Sequence, residues 1–79
     1  MKSTKVSVFQ LLQWKHAIRL EAKGIKFPRS VKAHAARAFG LPARCPRAHV
    51  QREIDSALDY ATAYEMQPHE ILTLDISGS

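Results

Sequence analysis

Seventy-nine residues, 46% apolar and 24% charged, set the scale of one small folded domain rather than a disordered chain. A single cysteine excludes an internal disulfide and a multi-thiolate zinc site, and no apolar run approaches the ~18 residues of a membrane helix. The formal charge of +5 hides 12 − 1 = +11 over residues 1–52, which hold every Lys and Arg, against 0 − 6 = −6 over residues 53–79.

Along the chain, Lys2 and Lys5 precede a short apolar patch, but Gln10 and Gln13 interrupt it, so it does not read as a secretory leader. A reducing, cytoplasmic setting, bacterial or host, is expected. The first helix is expected over about 8–23. Ser7 and Gln10 form an S-x-x-Q capping box, and Gly24 supplies a stop. Val8, Leu11, Leu12, Trp14, Ile18 and Ala22 share one broad arc of this helix. Lys15, Arg19 and Lys23 stack beside it as a basic ridge. Like charges at that spacing weaken an isolated helix by roughly 0.2–0.5 kcal/mol per pair, which a bound anion would offset.

Pro28 in the GIKFPR connection disfavours helix at Phe27, and Ser30 then reads as the N-cap of a second helix over about 31–39. Val31, Ala35, Ala38 and Phe39 share its apolar face, while His34, Arg37 and Lys32 lie off it. A third helix is expected over about 46–65, opened by Pro46. Val50, Ile54, Ala57, Leu58, Tyr60, Ala61 and Tyr64 form its apolar face, with Arg52, Asp55 and Asp59 outward. The expected fold class is therefore all-α: a compact three-helix bundle over residues 1–66 with an acidic tail over 67–79. The tail, HEILTLDISGS, alternates apolar and polar residues as a strand does, and so does STKVSV. A short pairing of the termini, a helical turn and a loose tail are all compatible with it.

Chemistry is sparse. His16, His34, His49 and His69 are scattered, and no glycine-rich phosphate loop or nucleophile motif occurs, so no enzyme, cofactor, metal or catalytic residue is expected. His49 and Glu53 at i, i+4 read as a surface pair. Cys45 reads as a partly exposed helix-start residue rather than a nucleophile.

The stronger signal is HAARAFGLPARCPRAHVQRE, residues 34–53. Arg44, Arg47, His49 and Arg52 gather around the start of the third helix, with Arg37 and Lys32 on the second. Helix N-termini favour acids by roughly 0.3–1 kcal/mol per charge, so cations there oppose stability in the free protein. They suit phosphate, which accepts from guanidinium forks and from free helix N–H groups alike.

This segment resembles the helix-turn-helix family of DNA-binding domains. Ala36 matches the small residue before the turn glycine, Gly40; Leu41 matches the apolar residue after it; Val50 and Ile54 match the inward anchors of the recognition helix. Gly40 to Cys45 is longer than the family's short turn. The WKHAIRLEAKG segment is similar to short phage and prophage proteins. The resemblance implies a small regulator or phage accessory protein on duplex DNA, through Lys32, Arg37, Arg44, Arg47, His49 and Arg52, with Lys15, Arg19 and Lys23 as a second basic surface. Four to six phosphate contacts imply a log–log salt slope of roughly −4 to −5. Single strands are disfavoured because Trp14, Tyr60 and Tyr64 are expected in the core. The alternative is a protein-interaction module or inhibitor, of the anti-defence or host-takeover kind, docking on an acidic or nucleoprotein partner. A homodimer is compatible with either reading, and no membrane partner is expected.

Overall fold

The computed structural model describes the backbone of residues 2–76 and the side chains of residues 3–74. The order of elements is β1 (Lys2–Ser7), α1 (Val8–Ala22), α2 (Val31–Ala38), α3 (Arg47–Ala63) and β2 (Ile71–Ile76). The three helices fall where apolar periodicity and capping residues place them. Ser7 accepts from the Gln10 N–H at 3.1 Å, and Ser30 accepts from the Ala33 N–H at 3.2 Å.

The all-α class is corrected. β1 and β2 pair antiparallel, Lys2 with Ile76 through Ser7 with Ile71, so the chain is a mixed α and β domain. Of the expected tail, residues 71–76 form β2, and 77–79 lie outside the described residues. Neither strand carries enough alternation to prove itself alone. A two-stranded sheet is marginal in water, and this one is stabilised by burying Val6 and Leu72 in the helical core while Lys5, Ile71 and Thr73 face away from it.

α1 is the central element. Leu11 and Ile18 are fully buried, as are Val50 and Ile54 of α3, and Trp14 packs edge-on to His34 and against Phe39 on the α2 side. Ala35 and Ala36 let α2 approach closely, and their burial leaves no room for a larger side chain. Each helix stops by one device. Leu20 accepts from the Ile25 N–H, Ala36 from Leu41 and Ala61 from Met66, with Gly24, Gly40 and Glu65 at positive φ in the turn between. Glu65 at φ +52° is the one of the three that is not glycine.

Four apolar assignments are also corrected. Leu12 and Ala22 on α1 are exposed, and so are Tyr60 and Tyr64 of α3. The apolar face of α3 is wider than the core that covers it, because α1 packs on one flank and only β2 lies near the other. Cys45, expected partly exposed, is buried under the α2–α3 joint.

Candidate nucleic-acid interface

The path of the chain gathers charge at one end. α1 starts at the sheet and runs away from it. α2 begins beside the last turn of α1, where the Glu21 carboxylate accepts from the Val31 and Lys32 N–H groups at 3.2 and 3.1 Å. The loop after α2 returns to that end, and the Lys32 ammonium donates to the Cys45 carbonyl at 2.8 Å. The C-terminus of α1 and the N-termini of α2 and α3 therefore meet, far from the sheet. Between them lies a depression of about 640 Å³ walled by Lys26, Lys32 and Arg47, with Glu21 and Phe27.

The two helix starts at this end are built differently. At α2, Glu21 and Ser30 together occupy the N–H groups of Val31, Lys32 and Ala33. At α3, Pro46 stands in the N-cap position with no side-chain cap, and the first turn holds no acid. The Pro46 carbonyl accepts from the His49 and Val50 N–H groups, leaving those of Arg47 and Ala48 without an acceptor among the described residues. Both residues are exposed. Arg44 immediately precedes this turn and is exposed too.

The predicted site residues divide accordingly. Lys32 and Arg47 meet on the depression at the start of α3, and the exposed Arg44 lies two residues before its N-cap. Arg52, one and a half turns further, is exposed on the helix's outer surface. His49 turns to Glu53, at 3.6 Å, as an ordinary i, i+4 contact. Arg37 lies at the other end of α2, beside Thr4 and Lys5 of β1.

The basic ridge of α1 has internal explanations. Lys15 pairs with Asp55 at 3.3 Å, and Arg19 and Lys23 sit in and just after the last turn of α1, where cations favour the helix dipole. No such account covers Arg44, Arg47 or Arg52, which make no ion pair among the described residues.

Lys26 is the residue that sequence reasoning missed. It sits in the GIKFPR connection, which reads as a spacer, yet the fold sets it across the depression from Arg47. The signal was its charge within a short link between helices. The tyrosines point elsewhere: Tyr60 and Tyr64 lie beside β2 with Glu70, away from the cations. Their exposure therefore does not furnish a stacking surface on the basic end.

No group of three or more His, Cys, Asp or Glu among the described residues is arranged to hold a metal ion, and no described helix is long and apolar enough to cross a membrane. Comparison with known protein families, curated proteins and solved structures finds no match.

Proposed function

We propose that this chain is a small nucleic-acid-binding protein that takes phosphate at the basic end of its helical layer, with duplex DNA the favoured ligand and a regulatory or phage accessory role. The observation that carries the reading is the convergence of Lys26, Lys32 and Arg47 from three segments, with the exposed Arg44 just before, around a helix start whose first N–H groups have no acceptor among the described residues. The one carboxylate nearby, Glu21, is already engaged by backbone N–H groups of α2.

Such a site binds end-on. The Arg47 and Ala48 N–H groups and the guanidinium forks of Arg44 and Arg47 donate to one phosphate, while Lys26 and Lys32 reach its neighbours. The helix-turn-helix comparison is kept only in part. Ala36, Val50 and Ile54 are buried, as anchors of that family would be. Beyond its first turns, however, α3 exposes Asp55 and Asp59, which would meet phosphates if the helix lay along the major groove. Backbone contact by the helix start avoids them, and it provides affinity with little base selection.

About three phosphate contacts imply a log–log salt slope near −2.7. The test is a titration of the full chain onto labelled duplex DNA at two salt concentrations, beside single-stranded DNA and structured RNA. The expected result is tightest binding to the duplex, a steep salt slope, and loss of binding in Arg44→Ala/Arg47→Ala. Binding without a salt slope, or binding indifferent to that double substitution, overturns the reading. A protein partner retained from nuclease-treated extract, with no duplex affinity, favours the interaction-module alternative.

A further inference from the structure

Among the described residues the sheet has two strands, so each keeps one edge without a partner. The Val8 N–H donates to the Glu70 carbonyl at 3.0 Å, continuing the β1–β2 register by one pair. In an antiparallel ladder the residues that face the partner strand alternate with those that face away. The N–H and C=O groups of Ser3, Lys5 and Ser7 on β1, and of Ile71 and Thr73 on β2, therefore point outward. Such edges are templates for a further strand.

The two edges carry opposite chemistry. Beside β1 lies a depression of about 590 Å³ bordered by the exposed Lys5, His34 and Arg37. Beside β2 lies one of about 570 Å³ bordered by Tyr60, Tyr64, Glu70 and Ile71. The two tyrosine rings stand 4.5 Å apart at 53% and 67% exposure, and Ile71 is 60% exposed. Glu65, also exposed, adds negative charge near this edge. Over residues 71–74, β2 has neither the lysine nor the proline that commonly guards an edge.

We propose that these edges are the two halves of one interface, through which the chain associates head to tail with further copies of itself. β1 and β2 already run in opposite directions, so a copy displaced by translation brings its β1 antiparallel to the first copy's β2. The sheet then continues as β1–β2–β1–β2 with all helices on one side. Arg37 of one copy, on α2 in the helical layer, comes to the tyrosine pair and Glu70 of the next, where ring faces and carboxylates both attract cations. A two-fold pairing of β2 with β2 would instead bring one acidic edge to another, with no lysine or arginine of β2 to meet the tyrosine pair. A head-to-tail contact repeated by translation does not close on itself, so association proceeds beyond a dimer. This inference rests on the sheet edges and is independent of the basic end.

Sedimentation of the full chain over a concentration series, at low and high salt, tests it with Lys5→Pro and Thr73→Pro. Both substitutions remove outward N–H groups and leave the β1–β2 ladder intact, which circular dichroism and thermal unfolding verify. The wild-type mass is expected to climb beyond twice the 8.9 kDa of one chain and to fall back as salt rises. Each variant alone stays monomeric, whereas an equimolar mixture forms a 1:1 complex and stops, because each supplies the edge the other lacks. Should either proline variant unfold, Tyr60→Ser/Tyr64→Ser on the exposed surface weakens association about tenfold. A wild-type monomer at every concentration overturns the proposal. So does a Lys5→Pro variant that still dimerises, the mark of two-fold β2 pairing, or association that salt strengthens.

Discussion

The N-termini of α2 and α3 lie at the same end of the molecule, yet they meet the same physical problem in opposite ways. Each begins with N–H groups that no helix bond can satisfy. α2 settles them internally: Ser30 takes one and the Glu21 carboxylate takes two, at 3.1–3.2 Å. α3 begins at Pro46 without a side-chain cap, with Arg44 and Arg47 beside it and Lys32 bonded to the Cys45 carbonyl just before it. The chain thus has the means to cap a helix, uses them at α1 and α2, and leaves the start of α3 open. A helix start left open and surrounded by cations lowers the stability of the free protein and raises its attraction for an anion. The same cations would gain little at α2, where a carboxylate already occupies the N–H groups.

Four changes break or sharpen that contrast. The largest effect removes what holds both helix starts in place: Leu11→Ala or Ile54→Ala should cost about 2–5 kcal/mol, read by urea or thermal unfolding, because both side chains are fully buried. Next, Lys26→Ala/Arg44→Ala/Arg47→Ala should lower duplex affinity roughly 10–100-fold and flatten the salt slope by about one per lost phosphate contact. Its melting temperature should hold or rise, since repulsion at the start of α3 is relieved. Glu21→Ala should destabilise by about 1–2 kcal/mol through the orphaned N–H groups of Val31 and Lys32, while duplex affinity holds or increases. The smallest effect converts α3 toward the chemistry of α2: Ala48→Asp puts an acid in its first turn, stabilising by about 0.3–1 kcal/mol and weakening binding. If that variant binds as well as wild type, the open start of α3 is not the anion site.

Local features of the fold were legible in the sequence, and features made by the meeting of distant segments were not. Ser7, Ser30, Gly24 and Gly40 act through neighbours within a few residues, so the helices they bound fall where their spacing puts them. The strands were harder, because residues 2–7 and 71–76 make a sheet only when three helices bring them together. Tyr60 and Tyr64 satisfy the apolar period of α3, but periodicity does not say how wide a cover the rest of the chain provides. Of the site, Arg44 and Arg47 were visible as charge against a helix dipole. Lys26 was hidden because its place on the same depression as Arg47 depends on where the α1–α2 connection lands. Arg37, by contrast, is close to Arg44 in sequence but sits at the opposite end of α2, beside β1.

The contrast between the two helix starts is tested most directly by following backbone amide resonances while a short duplex is titrated into the full chain at low salt. The account predicts the largest changes at the Arg47 and Ala48 amides, with Lys26 following them and with Val31 and Ala33 nearly unmoved. Changes centred on Val31 to Ala33, or spread evenly over every basic surface, would contradict it.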